Sequence, residues 1–276
     1  MLRRAAVAGS WYPGRPDQLE AEVDAHLGSA ERAASEDVPA GADLIGLVAP
    51  HAGLVYSGPV AAYAYRLLRE RTFDLIVLVG PSHYVGFEGV SVWPSGAFET
   101  PFGPLEVDAD AAQGLMQRLD SVKELPAAHQ REHSLEMQLP FLRIVAGQSK
   151  ILPLVMGHQT RRTAFALADA IVDAVCDRRA LLVASSDLSH FHDAKTAARL
   201  DAAVIDYVDR MDAEGLMKRL EARPDHACGG GPMVTVLRAS RALGATASRV
   251  LRYADSGDVS GDKSSVVGYL AAALWR

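Results

Sequence analysis

The stretch Asp74-Leu75-Ile76-Val77-Leu78-Val79-Gly80-Pro81-Ser82-His83 decides the fold class of this chain. Five consecutive apolar residues end in the turn-forming pair Gly80-Pro81, which predicts a strand buried on both faces. A strand of that kind belongs to a parallel sheet with helices on both sides. Ligands bind such sheets just beyond the carboxyl ends of the strands, which is where His83 falls.

The same pattern recurs along the chain. Four apolar runs are each followed closely by a histidine, namely His51, His83, His158 and His190. Helical patterns separate the runs, whereas apolar residues between Gly89 and Val107 are spread among Gly, Pro and Thr, which predicts an antiparallel excursion. We therefore predict an α/β protein, a single domain over residues 1–276, with a central, mostly parallel sheet flanked by helices. Residues 29–42 are rich in Ala, Glu, Asp, Ser and Gly, and this composition predicts a connection on the surface.

Composition excludes several classes of protein. The chain has 276 residues and a net charge of -6, and no run of Lys and Arg forms a basic patch. This charge balance argues against nucleic-acid or anionic-membrane binding. No apolar run approaches the roughly 20 residues needed to span a bilayer, and two cysteines do not make a disulfide framework. We expect a cytoplasmic protein.

The strand-end histidines carry the chemistry. In a parallel sheet these loops line one edge, so several neutral imidazoles can converge, which suggests a transition metal. The sequence has no Cys-x-x-Cys and no His-Glu-x-x-His, so such a site is assembled from distant loops. The alternative is that each histidine caps a strand or binds a backbone carbonyl.

The two cysteines differ in their surroundings. Cys176 lies on the apolar side of a predicted helix, and we expect it to pack in the core. Cys228 precedes three glycines and a predicted helix start. The positive end of that helix favours a thiolate, which can ligate a metal or act as a nucleophile. The run 229–231 would alternatively cradle a phosphate, although no Gly-Lys-Thr sequel follows.

Other residues are candidates for the surroundings of a site. Asp187 and Glu136 are candidates to orient a histidine by hydrogen bonding, and His133 lies three residues before Glu136, on the same helix face. Trp11 and Tyr12 either pack in the core or wall a cleft.

Seven sequence words, in this order over nearly the whole chain, resemble the Memo family, including its bacterial members called AmmeMemoRadiSam system protein B: Gly9-Ser10-Trp11-Tyr12-Pro13, Ala49-Pro50-His51-Ala52-Gly53, Gly80-Pro81-Ser82-His83, Phe98-Glu99-Thr100-Pro101-Phe102-Gly103, Glu132-His133-Ser134-Leu135-Glu136, Ser185-Ser186-Asp187-Leu188-Ser189-His190 and Cys228-Gly229. The family is similar in fold to class III extradiol ring-cleavage dioxygenases, which are non-haem iron enzymes. The resemblance implies that His51, His83 and Cys228 line a metal site. It places His190 in the position of the dioxygenases' acid/base histidine, with Asp187 adjacent, so these two are the catalytic candidates. The family's bacterial name implies a radical-SAM protein encoded alongside.

One departure from the dioxygenases concerns the metal. A cysteine stands where they use a glutamate, and a site of two histidines and one cysteine favours copper or zinc more than a two-histidine, one-carboxylate site does. We expect Fe(II) or copper, with zinc as a further option.

Three hypotheses for function follow. The first is a metal-binding protein with a dioxygenase-like pocket, acting as a metal-dependent redox enzyme in which His190 moves a proton. The second is a non-catalytic module that binds a small molecule or peptide in the same cleft, with Trp11, Tyr12 and Tyr56 as aromatic walls. The third is a hydrolase or transferase with Cys228 as nucleophile.

Overall fold

The computed structural model describes residues 1–33 and 38–276. The strands are β1 (Leu2–Arg3), β2 (Leu44–Ala49), β3 (Leu75–Pro81), β4 (Val90–Val92), β5 (Ala97–Phe98), β6 (Leu105–Glu106), β7 (Val122–Glu124), β8 (Lys150–Met156), β9 (Ala180–Ser185), β10 (His190–His192), β11 (Ala247–Asp255) and β12 (Val266–Trp275). The helices are α1 (Pro16–Ala33), α2 (Leu54–Tyr65), α3 (Ala109–Arg118), α4 (Pro126–Gln130), α5 (Leu139–Val145), α6 (Arg161–Val175), α7 (Ala194–Asp209), α8 (Ala213–Ala222), α9 (Gly230–Ala242) and α10 (Gly257–Ser260). Short 3-10 turns occupy Arg66–Leu68, Glu136–Gln138 and Pro224–His226.

One mixed sheet organises the molecule, in the order β10-β12-β2-β9-β3-β8-β4-β7, with β11 paired to β12. Its four central strands, β2, β9, β3 and β8, are parallel. Strand β12 pairs with β2 on one side and β4 pairs with β8 on the other, and both of these pairs are antiparallel. The predicted α/β fold with a parallel centre is confirmed.

Strand β3 shows why the apolar run forms a central strand. All of its residues are buried, and successive side chains point to opposite faces of the sheet. Leu75, Val77 and Val79 join an apolar cluster with residues of α6 and α9. Ile76 and Leu78 join a second cluster with residues of α1 and α2. Helices therefore cover both faces of the sheet, as the continuous apolar run predicts.

The segment from Gly89 to Val107 is the predicted excursion. Strand β4 runs antiparallel to β8, and β5 and β6 form a small antiparallel pair that β1 joins in parallel.

Two local expectations need correction. Cys176 is exposed at the C-terminal end of α6, so the expected core packing is wrong. Helix α6 ends at Val175, so the Cys176 side chain lies beyond the buried apolar face of the helix. Helix α1 continues to Ala33, so the surface connection expected over residues 29–42 begins later, and its residues 34–37 lie outside the described part of the chain.

In the described ranges, each helix is too short or too polar to cross a membrane.

Candidate metal centre

Three potential metal ligands meet at the carboxyl edge of the central strands. His51 follows β2, His83 follows β3, and Cys228 precedes α9. Their ligand atoms all lie within 4.8 Å of one another, and Cys228 Sγ is 3.2 Å from His51 Nε2. We call these three residues the donor group. Parallel strands that end at one edge bring together residues far apart in sequence.

The tautomer of His51 is set by Ser185, the last residue of β9. His51 Nδ1 lies 2.8 Å from Ser185 Oγ, while the Ser185 hydroxyl donates to the carbonyl of Ser134 at 2.6 Å. Because a hydroxyl has one hydrogen, Ser185 must accept the hydrogen bond from His51. Nδ1 therefore carries the proton, and the lone pair of Nε2 faces Cys228 Sγ at 3.2 Å. Burial, reinforced by the nearby His83, holds the pKa of His51 well below its usual range.

Glu132 does the same for His83. Its Oε1 accepts from His83 Nδ1 at 2.8 Å and from the amide of Ser134 at 2.9 Å, and its Oε2 accepts from the amide of His83 at 2.6 Å. Burial alone would raise the pKa of Glu132, but its hydrogen bonds with His83 outweigh burial and lower that pKa to about 2. An ionised carboxylate only accepts hydrogen bonds, so His83 Nδ1 is the donor, and Nε2 is the ring nitrogen left to bind a metal.

Cys228 is held against the backbone of Asp187. The amide of Asp187 donates to Cys228 Sγ at 3.3 Å, and the amide of Cys228 donates to the carbonyl of Asp187 at the same distance. Burial raises the pKa of the Cys228 thiol far above its usual range, and the Asp187 carboxylate adds to the effect. The thiolate expected from the helix start is therefore disfavoured in the metal-free chain, because desolvation outweighs the helix dipole.

The two catalytic candidates flank this group. Asp187 is buried, and its Oδ1 accepts from the amide of His51 at 2.7 Å and from that of Ala52 at 3.3 Å. Burial raises the pKa of Asp187 to about 6. His190 Nδ1 donates to the carbonyl of Leu188 at 2.8 Å, which leaves Nε2 as a proton acceptor. A positive charge on His190 would lower the pKa of both His51 and Asp187.

Aromatic rings wall the other side. His133 stacks on His83 with ring centroids 4.5 Å apart and an angle of 18°, and Trp11 lies 4.2 Å from His133. The hydroxyl of Tyr84 is 3.4 Å from His133 Nδ1. Burial, together with the charges of His51 and His83, lowers the pKa of His133 to about 3. His83, Glu132 and His133 form a second set of potential metal ligands.

A family model described as Memo-like protein matches residues 3–273. The chain belongs to the Memo family. It is 37% identical over 284 residues to a MEMO1 family protein of Methanopyrus kandleri, with all of both chains covered. It is 40% identical over 273 residues to a MEMO1 family protein of Methanosarcina mazei, with 98% of each covered.

A solved structure is similar to this Memo-family protein in fold. It is an uncharacterized protein, JW3007, from Escherichia coli K12, with a TM-score of 0.55 and 14% identity. The match covers 82% of this chain and 99% of that one. At this identity the likeness concerns architecture alone.

Three predicted site residues of this Memo-family protein lie elsewhere or at the margin. The Glu136 carboxylate accepts from Tyr12 Oη at 2.7 Å and from the amides of Ala6 and Val7 at 2.8 and 3.0 Å, and it pairs with buried Arg3. Glu136 and Tyr12 thus anchor the N-terminal segment. Tyr56 is 40% exposed on the first turn of α2.

His158 also departs from the pattern of the strand-end histidines. It is exposed and pairs with Glu88 at 2.7 Å, so it stands apart from the donor group.

Sequence reasoning missed Glu132, Ser185 and Tyr84. Glu132 directly precedes His133 in the Glu-His-Ser word, and Ser185 opens the Ser-Ser-Asp word. Both residues lie in sequence words shared with the family, which could have marked them as site residues. No spacing rule, however, links Glu132 to His83 or Ser185 to His51.

Proposed function

We propose that this Memo-family protein binds a transition metal, Fe(II) or copper, through His51 Nε2, His83 Nε2 and Cys228 Sγ. The observation that carries the proposal is the orientation of both histidines, since Ser185 and Glu132 accept the Nδ1 protons, which leaves the Nε2 lone pairs as the ligand positions, that of His51 facing Cys228 Sγ. Metal-bound histidines usually donate their other ring nitrogen to such partners.

The donor group also fits a single ion in size and chemistry. Ligands at roughly 2.0–2.3 Å from one ion lie about 3.3–3.8 Å apart in a tetrahedral site. Cys228 Sγ and His51 Nε2 are 3.2 Å apart, and all three donor atoms lie within 4.8 Å of one another. Two imidazoles and a sulfur suit copper and iron, and they also suit zinc. Binding must displace the thiol proton of Cys228, which makes metal uptake dependent on pH.

The residues around the donor group support proton transfer to or from a ligand there. A bound metal would supply Lewis-acid or redox chemistry. His190 has its Nδ1 proton fixed by the Leu188 carbonyl, so its Nε2 can accept a proton. Asp187 holds the amides of His51 and Ala52, so it positions the loop that carries the first histidine.

Metal analysis tests the proposal. Iron, copper and zinc are measured in untagged wild-type protein, in His51→Ala and in His158→Ala, an exposed histidine outside the donor group. We expect about one metal per chain in wild type and in His158→Ala, and loss in His51→Ala. Equal and negligible metal in all three proteins would refute the proposal.

The second candidate is a non-catalytic module that binds a small molecule or peptide in the same cleft. It is supported by the rings of Trp11, Tyr84 and His133 beside the donor group. Oxygen consumption by the anaerobically reconstituted iron protein discriminates the two, since a binding module would consume none with any catechol of a test panel. A physical complex with a radical-SAM protein stays a prediction from the resemblance, and copurification of the two proteins would test it.

The third hypothesis, a nucleophilic Cys228, is weakened. The raised pKa of this thiol leaves little thiolate in the metal-free chain. Iodoacetamide labelling of metal-free protein measures this directly, and a rate faster than that of a free thiol would restore the hypothesis.

A further inference from the structure

The turn that carries Cys228 is held by hydrogen bonds to several of its backbone groups. The Cys228 amide binds the Asp187 carbonyl, and the Gly229 amide donates to Ser186 Oγ at 2.9 Å. The remaining contacts come from one side chain, that of Gln159, in the loop between β8 and α6.

Gln159 bridges both ends of this turn. Its Nε2 donates to the Cys228 carbonyl at 2.6 Å, and its Oε1 accepts from the Gly231 amide at 2.7 Å. The glycine run allows this close approach, because a Cβ at Gly231 would lie 2.9 Å from Gln159 Cβ. The amides of Gly229 and Gly231 are thus already used by protein acceptors, which argues against the phosphate cradle considered from the sequence.

We propose that Gln159 is a positioning residue that sets the direction of Cys228 Sγ toward the metal. The inference rests on the proposed function. Asp187 holds the amide and sulfur side of Cys228, and Gln159 holds its carbonyl, so the residue is clamped from two loops. With its amide and carbonyl both bound, the Cys228 backbone is restrained in the position that places Sγ 3.2 Å from His51 Nε2.

The place of Gln159 in the fold suits this task. Strand β8 pairs in register with β3 up to Met156 and Pro81, two residues before His83. The loop that carries Gln159 therefore starts from the same rigid edge as one of the histidine ligands. Gln159 and Cys228 also line a cavity of about 640 Å³, so a side chain of similar length can replace Gln159 without displacing packed neighbours.

Cobalt substitution tests the role of Gln159. Co(II) is added to purified metal-free wild type, Gln159→Met, Gln159→Glu and His158→Asn, and the thiolate-to-cobalt charge-transfer band is recorded per bound cobalt. His158 is the matched control, because it is the preceding residue in the same loop and its side chain binds Glu88 instead. Charge-transfer energy reports the metal–sulfur bond, which a loss of stability alone does not move.

We expect His158→Asn to match wild type. In Gln159→Met the band should shift and weaken, with Co(II) affinity lower by about ten-fold, as for other residues that orient metal ligands. Gln159→Glu keeps an acceptor for Gly231 but sets a carboxylate against the Cys228 carbonyl, so its band should shift as well. If Gln159→Met does not fold, the band shift of Gln159→Glu alone tests the proposal.

The outcomes separate the two proposals. Absence of a thiolate band in wild type would refute metal binding through Cys228, and the inference with it. A wild-type band that is unchanged in the Gln159 variants would overturn the inference and leave the proposed function standing. As a check on wild type alone, the Gln159 side-chain amide signals in an NMR spectrum should shift on Zn(II) addition, and unshifted signals would count against the inference.

Discussion

Replacing Glu132 with glutamine should weaken metal binding through a residue that touches no metal. Glu132 accepts three hydrogen bonds, from the amide and the ring of His83 and from the amide of Ser134. A glutamine has nearly the same shape but one acceptor oxygen in place of two and no charge. The ring of His83 would lose the anionic partner that strengthens it as a ligand and fixes its tautomer.

Removing the partner of a metal-bound histidine lowers metal affinity by roughly 10–100-fold, which is about 1.4–2.7 kcal/mol. The glutamine NH₂ group must also face one of the three donors, and a buried donor without an acceptor costs about 1–3 kcal/mol of folding free energy. Both the affinity and the stability of Glu132→Gln should therefore fall.

The assay is competition for Co(II) against a chromogenic chelator, with urea unfolding of the metal-free proteins alongside. Glu88→Gln is the matched control, since Glu88 makes the same kind of carboxylate–histidine contact with His158 at 2.7 Å but is 79% exposed. That variant should bind Co(II) as wild type does.

Two results would refute the reasoning. One is a Co(II) affinity of Glu132→Gln equal to that of Glu88→Gln, which would mean that His83 does not depend on its carboxylate partner. The other is a loss of affinity fully explained by unfolding, which the urea measurement detects.

Three further predictions concern other buried contacts. Ser185→Ala removes the neutral acceptor of His51 Nδ1, so Co(II) affinity should fall about ten-fold, and an unchanged affinity would contradict the tautomer assignment. Arg3→Met leaves Glu136 buried without its cation, so the free energy of unfolding should fall by about 3–5 kcal/mol. In chemical denaturation, a loss below about 1 kcal/mol would show that the pair contributes no more than a surface ion pair. His129 is buried, and its pKa is lowered from 6.5 to about 3, mainly by burial and to a smaller extent by the charge of Arg3. The unfolded chain therefore binds a proton below about pH 6.5 that the folded chain does not. This contribution to stability is full above that pH and is lost as pH falls toward 3, by up to about 1.4 kcal/mol per pH unit. His129→Phe should flatten the slope between about pH 7 and pH 5 in urea unfolding, and a slope equal to that of wild type would contradict the assignment.

The fold could be predicted because it depends on strong local patterns. The apolar run of β3 is continuous, and only a strand covered on both faces accommodates it. The strand-end rule then placed His51 and His83 at one edge, and the structure brings both together with Cys228, which its position before a helix start had marked as a possible ligand.

The partners of these residues could not be predicted in the same way. Glu132 reaches His83 across 49 positions and Ser185 reaches His51 across 134, and no local periodicity encodes such pairs. The sequence singled out Glu136 as a carboxylate to orient a histidine, yet its carboxylate points to the N-terminal segment, and Glu132 holds His83 instead. The pKa of Cys228 was also beyond reach, because desolvation depends on how neighbouring loops cover the thiol.

The order of strands in the sheet has a consequence for the timing of metal uptake. Strand β9 lies between β2 and β3, although it follows both in sequence. A growing chain that stops before Ala180 carries His51 and His83 but lacks the strand that spaces their strands, and it also lacks Cys228. The ribosome must therefore release nearly the whole chain before the three ligands can meet. If the three residues bind a metal as proposed, the complete site therefore forms only after most of the chain has folded.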